Sequence, residues 1–239
     1  KDDKEWLCSK GVLASAFKVD QQDLGESGRP AIDKTPKVLS EKFNLSGGTS
    51  PFYNSGILKN GKVFTLKTTS VVSQLKSLES ILLNENKVDD EFYIDPKKLL
   101  KRTVYKYQIG KKEPIILKTE LDMWTYLKGA KKEERINKIK KFKYKYAEGG
   151  MIFPDLLDMP SRTIITGEGG KSPSRFKHVI QTKNGLRRLI PIELERLNMF
   201  PDNFTEYENV SNSKRAFLMG NALVIGVVEK LGESLKNRI

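Results

Sequence analysis

The segment RRLIPIELERLNMFPDNF, from Arg187 to Phe204, predicts the most clearly bounded helix of the chain. Pro191 suits the first helical turn, because its fixed φ is already helical and the N–H that it lacks would be unpaired there. Apolar residues then recur at Ile192, Leu194 and Leu197, near one helical face. The residues alone therefore predict a short amphipathic helix with an arginine pair in front of it.

The residues on either side predict how this helix begins and ends. Pro201 cannot continue a helix and disfavours helix in the preceding residue, so the helix should end before it. Upstream, Asn184 and Gly185 form a dipeptide typical of tight turns. We therefore expect residues 176–181 to pair with residues 186–189.

Other elements follow from turn chemistry and periodicity. Asn60 and Gly61 lie inside the alternating segment 52–69, which predicts a β-hairpin with a type I′ turn. The remaining predictions are helices over 75–84, 97–100 and 215–239, and strands over 103–108, 115–118 and 162–165. The predicted fold class is α+β: a small mixed or antiparallel sheet with helices.

Charge is the main compositional clue to function. The chain has 239 residues and a formal net charge of +13, and lysine and arginine clusters bind phosphates with release of counterions. Nucleic acid is therefore the first candidate partner. A basic balance of this size also occurs in proteins that merely stay in solution, so the charge does not decide the question alone.

The rare residue types exclude several kinds of site. Cys8 is the only cysteine and His178 the only histidine. An intramolecular disulfide, a cysteine-rich zinc site and a two-histidine metal site are therefore excluded within this chain, and we expect no metal. The cysteine count fits a reducing cytoplasm, which is the expected location. The longest apolar run, residues 222–228, is too short to cross a bilayer.

Residues 131–146, KKEERINKIKKFKYKY, form the densest basic run. Aromatic residues among lysines can stack on bases or lie along a nucleic-acid backbone. The alternative is a solvated strand with its lysines outside and Phe142, Tyr144 and Tyr146 inside, which the alternation supports. Both interpretations stay open, and we expect some of these lysines to contact phosphate.

Two glycine-containing loops follow the basic run. Gly149 and Gly150 permit a close backbone approach to a ligand. Residues 166–171, TGEGGK, resemble a phosphate loop only superficially, because the spacing differs and Pro173 follows at once. Arg175 suits a bidentate contact with guanine, whereas Lys177 suits a phosphate. His178 is as well explained by hydrogen bonding at a strand edge as by a DNA contact.

Three segments together resemble the DNA cytosine-5 methyltransferases. Pro191, Glu193, Arg196 and the Phe200-Pro201-Asp202 run resemble the ninth sequence motif of that family. The upstream segment PSRTIITGEGG, residues 160–170, resembles its target-recognition loop. The downstream segment RAFLMGNALVIGVVEKLGESL, residues 215–235, resembles its tenth motif.

The resemblance implies a role for each part of the chain. Residues 1–20 would leave the catalytic domain, residues 21–210 would form the target-recognition domain, and residues 211–239 would form a helix packed on a Rossmann-like catalytic domain. Asn221 and Ala222 would touch the cofactor, S-adenosylmethionine. The implied DNA-binding residues are Lys140, Lys143, Lys145, Gly149, Gly150, Arg162, Thr166, Gly167, Glu168, Gly169, Gly170, Lys171, Ser174, Arg175 and Lys177.

Several family elements are missing from this sequence. The family's cysteine nucleophile lies between proline and glutamine, whereas the neighbours of Cys8 are Leu7 and Ser9. The resemblance therefore implies the recognition and C-terminal portion of a bacterial restriction–modification enzyme, inactive without a separate catalytic domain or subunit. Two alternatives stay open: a stand-alone, sequence-specific DNA-binding protein, and an RNA-binding or RNA-modifying module.

Overall fold

The computed structural model describes residues 2–31, 52–72, 75–139 and 141–239. The chain divides into two compact units. Unit 1 comprises Lys1–Gln74 and Gly226–Ile239, and unit 2 comprises Leu75–Ile225. The fold is mixed α+β with small antiparallel sheets, as predicted from the sequence.

Unit 1 is built on a three-stranded antiparallel sheet of order β1-β3-β2. Its strands are β1 (Val19–Gly28), β2 (Ser55–Lys59) and β3 (Lys62–Ser70), and they follow α1 (Asp3–Glu5), a π-helical turn (Trp6–Lys10) and α2 (Val12–Ala16). The predicted hairpin is confirmed. Asn60 and Gly61 both have positive φ, 49° and 73°, as a type I′ turn requires.

The C-terminal helix packs within unit 1 against the N-terminal turns. Ser234 Oγ donates to the carbonyl of Val12 at 3.0 Å, and the Arg238 guanidinium donates to the carbonyl of Lys10 and to Ser15 Oγ. A small apolar core of Cys8, Phe64 and Leu66 lies on the sheet. Both ends of the described chain are therefore fixed in one unit.

Unit 2 contains three two-stranded antiparallel sheets, β4–β5, β6–β7 and β8–β9. The strands are β4 (Leu99–Lys106), β5 (Ile115–Thr119), β6 (Lys131–Ile136), β7 (Lys143–Glu148), β8 (Val179–Thr182) and β9 (Gly185–Arg188). The helices are α3 (Glu120–Lys128), α4 (Pro191–Leu197) and α5 (Asn212–Asn221); α6 (Ile225–Lys236) continues into unit 1. Short 3₁₀ turns occur at Leu78–Ile81, Glu85–Lys87, Asp90–Phe92 and Thr166–Glu168.

The helix predicted from the opening segment is confirmed as α4, and the hairpin before it as β8–β9. Leu194 of α4 is fully buried in the main core of unit 2, with Ile180, Leu189 and Met219. Glu193 accepts a hydrogen bond from the amide of Ile190 at 3.0 Å, which satisfies a donor at the helix start. The helix is therefore fixed by both its apolar face and its N-terminus.

Two helix predictions in the first part of unit 2 were wrong. Residues 75–84 form only the 3₁₀ turn Leu78–Ile81. Residues 97–100 are not helical, because the Asp95 side chain accepts the amide of Lys97 in a local turn and Leu99 then pairs with Thr119 of β5. Local side-chain hydrogen bonding and strand pairing override the proline signal there.

Two predictions around α5 were also wrong. Residues 215–239 form two helices rather than one, because the amide of Ile225 donates to the carbonyl of Asn198 and the chain is non-helical over 222–224. Residues 162–165 do not pair as a strand. Ile165 is extended, but its backbone packs against α5 at Gly220, where an added Cβ would lie 2.3 Å from the Ile165 carbonyl carbon.

Candidate nucleic-acid interface

The arginine pair before α4 points into the protein. Arg187 is fully buried and its guanidinium donates to both oxygens of Glu193, at 2.9 and 2.8 Å, and to Glu85 Oε1 at 2.9 Å. Arg188 is 6% exposed and donates to the carbonyls of Gly170 and Glu91. The N–H groups of both arginines are therefore used inside the protein.

The loop 166–172 is held from its inner side by basic residues of the β8–β9 region. The Lys177 ammonium donates to the carbonyls of Gly170 and Ser172 at 2.8 and 2.7 Å, and Arg188 donates to the same Gly170 carbonyl. Lys177 is only 5% exposed, and burial lowers its pKa. Lys177 therefore supports the loop in this structure, and its contact with phosphate stays a prediction.

Glu168 of the same loop, predicted to contact DNA, points into the protein in this structure. It is 5% exposed, and its Oε1 accepts the backbone amide of His178 at 2.5 Å and lies 3.1 Å from His178 Nδ1. The other ring nitrogen of His178 lies 3.0 Å from Ser161 Oγ. Of the two interpretations of His178, the structure favours the hydrogen-bonded one, because the ring is fully buried.

Gly169 is required by packing rather than by a ligand. A Cβ at Gly169 would lie 2.6 Å from the carbonyl oxygen of Ser213 in α5. Gly170 has a φ of +82°, which favours glycine. The exposed part of the loop is therefore limited to Thr166, Gly167 and the residues from Lys171 onward, and Lys171 forms an exposed 3.1 Å ion pair with Glu91.

The second loop follows β7, and its Gly149 and Gly150 are exposed. Arg175, which follows the 166–172 loop in the sequence, contacts this second loop. Its guanidinium donates to the carbonyl of Gly149 at 2.7 Å and to that of Leu127 at 3.2 Å. Two guanidinium nitrogens of Arg175 are therefore bonded to backbone carbonyls in this structure, and its contact with guanine stays a prediction.

Arg162 is also used internally. It forms a bidentate contact with Asp155, at 2.6 and 3.1 Å, and donates to the carbonyls of Phe176 and Lys177. Ser174 is partly buried, and its Oγ accepts the amide of Phe176 at 3.4 Å. These contacts make Arg162 a support of the loop in this structure, and its contact with DNA stays a prediction.

The basic run forms the β6–β7 hairpin, and its aromatic residues face the solvent more than the alternation predicted. Phe142 and Tyr144 are 49% and 38% exposed, so the interpretation that places them inside was wrong. Tyr146 is partly buried, with the Arg135 guanidinium 3.3 Å from its ring centroid. Lys143 and Lys145 are exposed. The predicted contact Lys140 lies outside the described residues.

A buried cation that the sequence did not reveal lies between these loops. Lys128, at the end of α3, is 1% exposed; its ammonium donates to the carbonyl of Lys177 and lies 4.0 Å from Asp155 Oδ2. Burial lowers the pKa of Lys128 to about 8, against the opposing effect of the Asp155 carboxylate. No local pattern marks a lysine as buried, so this residue could not be found from the sequence.

The two residues predicted to touch the cofactor lie at the end of α5, not at a helix start. Asn221 is exposed and its side-chain amide donates to the carbonyl of Phe217 at 2.9 Å, while the amide of Ala222 donates to that of Leu218. The amides of Gly220 and Asn221 therefore belong to the last turn of α5 rather than to a helix start.

Metal-binding groups and membrane-spanning helices are both absent from the part of the chain that the structure describes. Within residues 2–31, 52–72, 75–139 and 141–239, no group of three or more His, Cys, Asp or Glu side chains is arranged to hold a metal ion. No helix in those ranges is long and apolar enough to span a membrane.

The arrangement defines a class of binding surface. Exposed lysines and aromatic rings on the β6–β7 hairpin, together with two exposed loop tips, lie on the same unit as Arg162, Arg175, Arg187 and Arg188, whose N–H groups bond within the protein. Such a surface can bind the phosphates and bases of a nucleic acid.

Comparison with known proteins makes the class specific. The chain belongs to the C-5 cytosine-specific DNA methylase family, which it matches over residues 43–237. It is 33% identical over 227 residues to the Type II methyltransferase M.Sau3AI of Staphylococcus aureus, covering 95% of this chain and 47% of the relative. The chain thus spans about half the length of that relative. The predicted family is confirmed; C-5 cytosine methyltransferases use S-adenosylmethionine as methyl donor.

Proposed function

We propose that this chain supplies the DNA-recognition and C-terminal portion of a bacterial DNA cytosine-5 methyltransferase from a restriction–modification system. The observation that carries the proposal is the division of charge in unit 2 of a family member. Arg175 and Arg188 hold the two glycine loops from inside, while Lys143, Lys145 and Lys171 remain exposed.

DNA binding would use the exposed groups in two ways. Lys143 and Lys145 of the hairpin, with Lys171 of the loop, would contact phosphates. The exposed tips at Thr166–Gly167 and Gly149–Gly150 would approach base edges in the major groove, because glycine allows the backbone to come close. The internal hydrogen bonds hold the loops before DNA arrives, so little ordering entropy is lost on binding.

Methylation requires a nucleophile that this chain does not provide. In the proposed reaction a target cytosine is flipped out of the duplex, attacked at C6 by a cysteine thiolate and methylated at C5. Cys8 is 5% exposed, and burial raises its pKa, an effect larger than the opposing influence of Lys4. A reactive cysteine needs the opposite environment, an accessible and stabilised thiolate.

S-adenosylmethionine would supply the methyl group, and the chain would form only an edge of its site. Asn221 is exposed at the end of α5 and Ala222 follows it, so the two residues could line that edge without enclosing a ligand. We keep as part of the proposal the assignment of residues 21–210 to DNA recognition and of residues 211–239 to docking on the catalytic domain. The catalytic domain or subunit, in a cytoplasmic enzyme, is then the protein partner.

Reconstitution tests the proposal. The 239-residue chain is mixed with a separate polypeptide that carries the family's cofactor and cysteine motifs, and transfer of labelled methyl groups to duplex DNA is measured. We expect sequence-dependent transfer by the mixture and none by either chain alone. Cys8→Ser should leave the restored activity unchanged. Transfer by this chain alone, or an inert mixture of two folded chains, contradicts the proposal.

Competition binding separates DNA from RNA as the partner. At fixed salt we expect the chain to prefer duplex DNA over structured RNA, because major-groove readout is not available in an A-form helix. Equal or tighter binding to RNA would favour the RNA-binding alternative. Tight sequence-specific DNA binding without any restored transfer would favour the stand-alone DNA-binding protein.

A further inference from the structure

Arg175 connects two loops that are far apart in sequence. Its side chain leaves the segment after the 166–172 loop and donates at 2.7 Å to the carbonyl of Gly149, 26 residues away. A second guanidinium nitrogen donates at 3.2 Å to the carbonyl of Leu127 and lies 3.3 Å from Glu148 Oε2. The side chain is 16% exposed, so the contacts are largely shielded from water.

Both loops are attached to the C-terminal end of α3. Carbonyls in the last turn of a helix lack intrahelical partners, and a cation there is also favoured by the helix dipole. Arg175 binds the Leu127 carbonyl, the amide of Met151 donates to the Lys128 carbonyl at 2.8 Å, and the Lys128 ammonium donates to the Lys177 carbonyl. The end of α3 is thus an anchor shared by the two loops.

From this geometry we propose that Arg175 is a positioning residue that fixes the Gly149–Gly150 loop relative to the 166–172 loop. The inference rests on the proposed function, in which both loops read DNA. Sequence discrimination then depends on Arg175 although it contacts no base. The planar guanidinium suits this role, since it can donate to several acceptors in a fixed geometry that an ammonium cannot reproduce.

The first experiment measures loop coupling without DNA. Hydrogen exchange of the Met151 amide is followed in the full chain for wild type, Arg175→Ala and Arg175→Lys, with Lys183→Ala as a control that removes an exposed charge elsewhere. Loss of two charge-assisted hydrogen bonds should speed exchange roughly tenfold or more in Arg175→Ala, and by less in Arg175→Lys. Exchange as slow as in wild type in both variants overturns the proposal.

The second experiment measures discrimination on DNA. Duplexes selected from a randomised pool are compared for the same proteins. A positioning residue predicts that both variants lose preference at several base pairs while the salt dependence of binding stays unchanged. Loss at one base pair, retained by Arg175→Lys, would identify a base contact and overturn the inference. If wild type binds no duplex, the proposed function fails, and the exchange measurement still decides whether Arg175 couples the loops.

Discussion

The six arginines between residues 162 and 215 and two lysines of β7, Lys143 and Lys145, carry the same charge but are used differently. Arg162, Arg175, Arg187, Arg188, Arg196 and Arg215 each donate hydrogen bonds to carboxylates or carbonyls of the protein. Lys143 and Lys145 are exposed.

The contrast has a physical origin. A guanidinium is weakly hydrated and offers five donors in a plane, so it is suited to buried bidentate pairing. An ammonium is strongly hydrated and works as a flexible point charge, which suits phosphate binding in water. We therefore propose that these six arginines maintain the shape of the surface and that Lys143 and Lys145 supply affinity for DNA.

The largest expected effect tests the role of the buried arginines. Arg187→Ala leaves the buried carboxylate of Glu193 and that of Glu85 without their cation. We expect a loss of about 3–5 kcal/mol in the free energy of unfolding, measured by urea denaturation. Lys145→Ala is the control and should change stability by less than about 0.5 kcal/mol. Similar small losses in both variants would remove the distinction.

The next effect concerns a lysine that breaks the pattern by facing inward. Lys128 has a pKa of about 8 in the folded protein, against 10.5 for an ordinary lysine. Below about pH 8, Lys128 is protonated in both the folded and the unfolded protein. Between about pH 8 and pH 10.5 only the unfolded protein keeps this proton, so the free energy of unfolding should rise with pH. The gain over this window is up to about 3 kcal/mol.

The measurement for Lys128 is a difference between two proteins. Unfolding free energies of wild type and Lys128→Met are compared from pH 7 to 10.5, because other lysines and tyrosines also titrate there. The rise should be present in wild type and missing from the variant. Parallel curves for the two proteins would show that Lys128 is charged and hydrated like the outward-facing lysines.

A pair of helical glycines tests whether the loop is fixed by close packing. A Cβ at Gly220 would lie 2.3 Å from the Ile165 backbone, whereas Gly232 has nothing within 4 Å of an added Cβ. Gly220→Ala should destabilise the protein by about 1–3 kcal/mol, and Gly232→Ala should stabilise it by about 0.5–1 kcal/mol. Thermal unfolding gives both values, and equal signs would contradict the packing argument.

The smallest expected effect tests the role of the exposed lysines. Lys145→Ala should weaken binding to all duplex sequences alike, a few-fold, and should lower the slope of log affinity against log salt by about 1. Lys177→Ala should destabilise the loop without changing that slope, because its ammonium is buried. A lower slope for Lys177→Ala would place its charge on the DNA surface after all.

The sequence was informative wherever structure depends on neighbouring residues. The Pro191 helix start and the turn at Asn60–Gly61 formed as predicted. The second hairpin also formed, but its turn residues are Lys183 and Asn184, because Gly185 already pairs with Thr182. The family was also identified correctly from short motifs, which the match over residues 43–237 confirms. These signals are local and do not require knowledge of the tertiary fold.

The direction of the charged side chains could not be predicted, because it depends on distant partners. Arg187 is buried because Glu85, 102 residues earlier, lies beside it. Arg175 donates to the main-chain carbonyls of Leu127 and Gly149, which lie 48 and 26 residues earlier in the chain. Carbonyl acceptors leave no mark in the sequence, so a basic loop that binds DNA and one that binds its own backbone look alike.

The order of the two units along the chain has a consequence for how such proteins diversify. Unit 2, Leu75–Ile225, is inserted between the two chain segments that make unit 1, and Ser234 and Arg238 bond the later segment to the earlier one. An inserted unit with its own core can accumulate substitutions, or be exchanged whole, without reordering the strands of its host. In evolutionary terms, unit 2 is suited to exchange as a whole, because the chain enters it from unit 1 and returns to unit 1.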